Sequence, residues 1–210
     1  RQFRSIDETS VFHGFLLETS RGCRFWCRFC MEGRLFNPFR YRGFNTLKRL
    51  VDEGLHVNSL NSVNIYSLSF PSTIDEKRIL EYLVENNIDV TLPSIRLTHI
   101  TDDFLELIAG TKQKTLSLAP ENFSPFIIHL LGKYSLNYDL VEPILKVIDH
   151  GFNVKLYLIY GVKGETRDDL LNTIDKIKQI GNYARKKSVK LSISLNPLIP
   201  KPWTIFQWIG

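Results

Sequence analysis

The chain has 210 residues, 43% apolar and 23% charged, with 12 glycines and 9 prolines, which suits one globular domain with its own core and excludes disordered, collagen-like and low-complexity classes. Its net charge of +5 is too small to imply a nucleic-acid partner by itself, and no apolar run approaches the ~18 residues a membrane span needs. All three cysteines fall between positions 23 and 30, which excludes a disulfide-framed secreted fold; with no hydrophobic signal core at the N-terminus, a reducing cytoplasm is the expected compartment.

Residues 1–10 read as an N-terminal extension or linker, and a first strand is expected over Val11–Thr19, running into the cysteine loop. Phe44–Glu53 reads as a short helix and Val63–Phe70 as a second strand. Thr73 with Glu76 forms a capping box for a helix to Asn87, whose apolar stripe is Ile79, Leu80, Leu83 and Val84. The third strand is placed in Ile88–Leu97, with its regular part ending at Pro93. Thr101 caps a short helix that Gly110 stops, and Lys114–Ala119 is the fourth strand. A helix over Tyr138–His150 precedes Val154–Tyr160, which is so apolar apart from Lys155 that it reads as a strand covered on both faces. Thr166–Ile180 is a capped helix, Val189–Leu195 a sixth strand, and 196–210 a tail rich in proline and tryptophan, expected to close the barrel bottom or pack on another domain.

Strands alternating with helical crossovers argue for a parallel α/β domain. Polar and glycine-rich turns recur at the carboxyl end of each strand, after Thr19, Phe70, Leu97, Ala119, Tyr160 and Leu195. One rim carrying the unusual chemistry favours a partial (β/α)6, TIM-like barrel over an open doubly wound sheet. The core is taken as 11–202, with 203–210 as a tail or the beginning of a further domain.

The segment from Glu18 to Cys30 reads ETSRGCRFWCRFC, a C-x3-C-x2-C spacing built on Cys23, Cys27 and Cys30. Three thiolates on one short loop can wrap an iron–sulfur cube and leave its fourth iron open to a ligand. Two other readings compete. The cysteines can be small buried hydrophobes, or they can hold structural zinc. Zinc needs a fourth ligand, which His13, His56, His99, His129 and His150 do not neatly supply.

This loop resembles the radical S-adenosylmethionine superfamily motif, including the preface before Cys23. The resemblance implies a 4Fe–4S cluster on Cys23, Cys27 and Cys30, and S-adenosylmethionine chelating the fourth iron. One electron then cleaves its C5′–S bond to a 5′-deoxyadenosyl radical. It also implies a partial barrel of that family's type, with Phe29 near the adenine. Ser67-Leu-Ser-Phe-Pro71 stands where the family has the motif receiving the methionine amino group, without the usual glycine–glycine–glutamate form. Segments 92–96, 118–121, 160–165 and 196–202 are similar to the later strand-end motifs, most of all to the subgroup that carries a cobalamin-binding domain, and less to the tRNA methylthiotransferases.

The strand ends supply the remaining candidates. Glu121 suits the cofactor's ribose hydroxyls or amino group, and otherwise is a surface turn acid. Ser67 and Ser69 share one face of their strand, where a cofactor or the protein can satisfy them. Ser94 and Arg96 suit a carboxylate or phosphate; a helix acid is the competing partner for Arg96. Gly161 and Gly164 allow an adenine or ribose wall or are plain turn glycines, while Glu165 reads as a helix-start acid. The resemblance brings the backbone at Leu198 or Ile199 to the adenine. Arginines crowd the cysteine loop at 21, 24, 28, 34, 40 and 42, as a nucleic-acid footprint or as neighbours of an anionic cluster.

The leading reading is a radical S-adenosylmethionine enzyme core whose chemistry is cobalamin-assisted methyl transfer, the cobalamin being held by a domain not in this segment. Methylthiolation of tRNA is second, although no cysteine remains for a second cluster. A metal-stabilised binding module without turnover is the rival of a different class. The expected electron donor is a ferredoxin or flavodoxin; the substrate is not legible.

Overall fold

The computed structural model describes residues 14–209, so the expected extension 1–10 and the beginning of the first strand lie outside the described residues. Six strands run parallel: β1 (Phe15–Glu18), then, beyond a short hairpin of β2 (Ser20–Arg21) and β3 (Arg40–Tyr41), β4 (Ser62–Tyr66), β5 (Asp89–Thr91), β6 (Thr115–Glu121), β7 (Asn153–Tyr160) and β8 (Leu191–Pro197). The ladders form two parallel sheets, β1–β4–β5 and β6–β7–β8. A parallel bridge between Ile95 and Leu118 joins them, with the Ile95 amide donating to the Ser117 carbonyl at 2.8 Å. The result is an open, partial (β/α)6 barrel.

Helices fill the crossovers: α1 (Glu32–Leu35) within the β2–β3 connection, α2 (Phe44–Asn58), α3 (Ile74–Glu85), α4 (Asp102–Ala109), α5 (Pro125–Leu131), α6 (Glu142–Asp149) and α7 (Arg167–Lys186). Both sequence-level capping boxes form: Thr73 with Glu76 on α3, and Thr166 with Asp169 on α7. The helix after Gly43 runs past Glu53 to Asn58, because Leu47 and Val51 are buried and only Ser59, at φ 51°, turns the chain. The helix expected from Tyr138 begins at Glu142, since Asp139 accepts from the Val141 and Glu142 amides and organises a turn first. The last long helix continues through Ile180 to Lys186, carrying Ala184 into the core.

One apolar core lies between the strands' outer faces and the helices. Leu17, Val63, Ile65, Leu116, Leu118, Val154, Leu156 and Leu158 meet Leu47, Val51, Ile79, Leu80, Leu83, Phe104, Leu105, Ile108, Ile144, Val147 and Ile180. The alternate strand residues face the barrel interior. This corrects the reading of Val154–Tyr160: only Val154, Leu156 and Leu158 are covered, while Lys155, Tyr157 and Ile159 are half-buried on the inner wall. The ladder aligns Lys155 with Ser117 on β6 and Ser192 on β8, and Tyr157 with Ser194, so this wall is polar.

A second, smaller cluster lies at the carboxyl rim. Ile127 and Leu131 of α5, Val162 after β7 and Phe206 of the tail pack together, with Phe29 and Leu198 against them. The tail therefore folds back over the rim and does not close the bottom; Trp203 and Trp208 remain exposed. No helix among the described residues is long and apolar enough to cross a membrane.

Candidate active site

The cysteine loop leaves β2 at the rim and is held by its own arginines. Arg28 is bound twice to the C-terminal turn of α5: its amide donates to the Leu131 carbonyl at 2.9 Å and its guanidinium to His129 O at 3.0 Å. These carbonyls belong to the last turn of the helix, where a cation complements the dipole; His129 O also accepts from the Gly132 amide at 3.2 Å. Arg34 donates to the Cys27 and Cys30 carbonyls at 3.3 and 3.1 Å. Arg24 lies over Phe39, and Arg21 and Arg42 both pair with Glu18. The arginine crowd is thus engaged in building the loop. Gly22 turns the chain at φ +82°, and a Cβ there would meet Phe36 O at 2.4 Å, so only glycine fits.

Cys27 is buried, and Cys23 and Cys30 are half-buried beside it in the loop; all three are free thiols. Burial pushes the Cys27 thiol up, and the positive charges of Lys133 and Arg96 pull against that. Among the described residues no three His, Cys, Asp or Glu side chains converge closely enough to hold a single metal ion.

The ends of β5 and β6 lie beside Cys27. Arg96 follows β5 and lies between two rings, its Cζ 4.0 Å from the Phe25 centroid and 4.6 Å from that of Tyr134, with Nη1 3.9 Å from Cys27 Sγ. The helix acid expected as a competing partner is absent: Arg96 has no ion pair among the described residues, and its buried Nε has no hydrogen-bond partner. Ser94, two residues earlier, is exposed.

Glu121 is buried, not a surface turn acid, and forms a 2.6 Å ion pair with Lys133, whose ammonium also donates to the Ala119 carbonyl at 2.6 Å. It stands at φ 69°, at a bulge: Leu118 pairs with Leu156 and Glu121 with Leu158, so β6 carries an extra residue. A left-handed non-glycine residue at a bulged strand end re-aims its side chain into the rim, a conformation that persists only where surrounding contacts hold it. Tyr134 donates to Ala119 O at 3.1 Å, and burial pushes its phenol far above the ordinary range.

Ser67 and Ser69 are both buried, but the strand ends at Tyr66, so they belong to the following turn and not to a strand face. Protein groups already engage them: Ser67 Oγ lies 2.8 Å from Ser20 Oγ and accepts from the Ser69 amide at 3.2 Å, and Ser72 Oγ lies 2.7 Å from Ser69 Oγ. At the centre is Glu76, fully buried, accepting from Thr19 Oγ1 at 2.6 Å, Ser20 Oγ at 2.9 Å and the Ser72 and Thr73 amides at 2.5 and 3.2 Å. The spacing from Thr73 identifies Glu76 only as a capping residue; its second role depends on partners 56 and 57 positions away.

Phe29 and Leu198 meet at the second apolar cluster, where the Leu198 amide donates to Tyr160 O at 2.7 Å. Gly161, at φ +74°, has open space where a Cβ would stand. Glu165 is not a free helix-start acid: it accepts from the Gly161 amide at 2.5 Å and from Asn122 Nδ2 at 3.2 Å, pinning the loop after β7 to the end of β6. Phe25, Tyr134 and Lys133 had no local motif to announce them. His99 also packs by Phe25, 6.0 Å between ring centroids, with Nδ1 buried and unpartnered and burial lowering its pKa. A separate cavity of about 710 Å³ lies between β1 and α2, lined by residues such as Phe15, Leu17, Arg42, Leu50 and Gly54 and by none of the cysteines.

The model of the radical SAM superfamily matches residues 17–177, from β1 into α7, with the cysteine loop and the Arg96 and Glu121 strand ends inside the match. The chain belongs to the radical SAM superfamily. It is 34% identical over 205 residues to the uncharacterised protein MJ0966 of Methanocaldococcus jannaschii, a match covering 96% of this chain and 44% of that protein. Among solved structures it is similar to the radical S-adenosylmethionine methyltransferase TsrM of Kitasatospora setae, solved with cobalamin and a [4Fe–4S] cluster, at a TM-score of 0.68, 14% identity, and 87% and 36% coverage of the two chains. It is also similar to coproporphyrinogen III oxidase HemN of Escherichia coli, a radical SAM enzyme, at a TM-score of 0.60, 14% identity, and 90% and 44% coverage. At these identities the solved structures speak to the fold, and the chain spans less than half the length of each of these proteins.

Proposed function

We propose that this chain is the radical-generating core of a radical S-adenosylmethionine enzyme, with Cys23, Cys27 and Cys30 holding a 4Fe–4S cluster. The observation that carries the reading is the placement of all three cysteines on one loop at the carboxyl rim of a partial barrel, in a chain of this family, beside cations that face Cys27. The donor set fits the group. Soft thiolates suit iron–sulfur chemistry, a cube presents separate corners to separate sulfurs, and the unpartnered Arg96 Nε points to a missing anion. When bound and reduced, the cluster supplies the electron that cleaves S-adenosylmethionine to methionine and a 5′-deoxyadenosyl radical.

The chain's own residues bind and orient. The rim cluster of Phe29 and Leu198 offers an apolar bed for the adenine, and the open space at Gly161 lets a ligand approach the backbone. Glu121, re-aimed by its bulge, is the acceptor for the ribose hydroxyls or the amino group, held in place by Lys133. Ser67 and Ser69, with Ser94, border the methionine end; the first two act through a turn fastened by Glu76. The apolar rim and the tail keep water from the reacting atoms. For the reaction that follows, cobalamin-assisted methyl transfer stands first on the order of the strand-end motifs, the cobalamin belonging to another domain and the electron arriving from a ferredoxin or flavodoxin. The arginines nearest the cysteines contact the loop itself, which favours this reading over a tRNA substrate.

Anaerobic reconstitution with iron and sulfide, followed by reduction in the presence of S-adenosylmethionine, tests the reading. The expected products are methionine and 5′-deoxyadenosine, and Cys27→Ala removes both the cluster absorption and the cleavage. A protein that takes up zinc and shows no cleavage overturns it in favour of a binding module.

A further inference from the structure

We infer that Arg96 is a positioning and charge-compensating residue for the cluster, donating from its guanidinium to the Cys27 sulfur and making the bound cluster easier to reduce. The inference rests on the function proposed above.

Arg96 is half-buried, with its Nε shielded from solvent. A guanidinium drawn partly out of water normally faces a carboxylate, because an uncompensated charge there is costly. The carboxylate at this rim, Glu121, is taken by Lys133 at 2.6 Å, and among the described residues Arg96 has no ion pair. Phe25 on one side and Tyr134 on the other clamp the guanidinium at 4.0 and 4.6 Å. These rings fix its plane and contribute cation–π attraction, but they supply no anion. Nη1 then stands 3.9 Å from Cys27 Sγ, while Nε is buried with no partner. Tyr134 is itself held by Ala119 O, so the clamp is anchored on the strand that carries Glu121.

Of the two side-chain cations that act on the Cys27 sulfur, Lys133 is neutralised by its partner and Arg96 is not, so Arg96 is the one of the pair free to answer a negative charge there. Reduction adds one electron to the cluster from the donor; no bond forms or breaks at Arg96, which stays protonated throughout. A fixed positive charge at hydrogen-bond range stabilises the more negative, reduced state and raises the potential. An aromatic clamp serves this purpose because it prevents the side chain from swinging to solvent.

The test is an EPR-monitored redox titration of the reconstituted whole protein without S-adenosylmethionine, comparing wild type, Arg96→Gln and Arg96→Lys. The expected result is a midpoint shifted to more negative potential in Arg96→Gln, well outside the spread of replicate titrations, and a smaller shift in the same direction in Arg96→Lys. A cluster of normal stoichiometry with an unchanged midpoint in Arg96→Gln overturns the inference, and a simultaneous loss of S-adenosylmethionine affinity would reassign Arg96 to the cofactor carboxylate. Failure of the wild-type chain to assemble any cluster overturns the proposed function itself, and this inference with it.

Discussion

Gly22 illustrates how a single backbone position controls the site. It holds a left-handed φ of +82°, and a Cβ would fall 2.4 Å from Phe36 O and 3.1 Å from Pro38 O, both backbone atoms that no rotamer change can move aside. Gly22→Ala therefore forces the loop to open, at a cost of about 1–3 kcal/mol in local strain. Because the rim loop lies apart from the main core, the expected outcome is a protein with wild-type far-UV circular dichroism that incorporates much less iron and sulfide on reconstitution. Wild-type iron content in that variant would refute the claim. The cysteines were legible in the sequence because their spacing is local, all three falling between positions 23 and 30. The Arg96–Cys27 contact was not, since its partners are 69 residues apart and no periodic signal links them. Glu121 was legible as an acid after a strand, but its bulge and its lysine depend on the β6–β7 register.

At the scale of elements, α3 and α5 are the two helices that shape the rim. The N-terminus of α3 is tied to the end of β1 through Glu76, which fills its capping box and also receives Thr19 and Ser20 from the strand that leads into the cysteine loop. Glu76→Ala leaves buried donors unmet and opens a void at this junction, and is expected to lower stability by about 2–4 kcal/mol in urea denaturation. Glu76→Gln keeps the volume and one acceptor and is expected to cost about half as much or less. Equal midpoints for Glu76→Ala and wild type would show that the junction bears no load. The capping box was readable from Thr73 and Glu76 three positions apart; the strand junction was not. The helix α5 escaped the sequence reading because it has only seven residues, beginning on Pro125 behind a Ser124 cap, too short for periodicity to distinguish from a loop. Its importance comes from what docks on it: Arg28 binds its last turn, so the cysteine loop takes its position partly from an element 101 residues away.

Across the whole molecule the strand count and order were legible because the parallel strands from β1 to β7 alternate buried and open positions and alternate with helices, while β8, with no buried position, was readable from its β-branched and apolar residues after α7. The inner wall was misread at β7, where three half-buried residues facing an open barrel look in one dimension like a fully covered strand. What the alternation could not indicate is the weak line in the closure. The β6–β7–β8 sheet has long ladders, seven paired positions between β7 and β8, whereas β4 and β5 share three, and among the described residues the two sheets meet through the single Ile95–Leu118 bridge. The apolar core nevertheless runs without a break from Phe15 to Ala184, with helices contributed from both halves. These two facts predict different things for different measurements. Loss of the shared core exposes both halves together, so denaturant unfolding is expected to be a single transition with coincident fluorescence and circular dichroism curves. Hydrogen exchange under native conditions reports the cheapest opening at each amide. The amides of Leu156 and Leu158, inside two ladders, are expected to exchange only through global unfolding. The Ile95 amide, whose one carbonyl partner is Ser117 across the seam, is expected to exchange through a smaller opening with a lower free energy and a weaker dependence on denaturant. If Ile95 matches Leu156 in both respects, the seam is as strong as the ladders, and the barrel closes as one cooperative unit in spite of its single bridge.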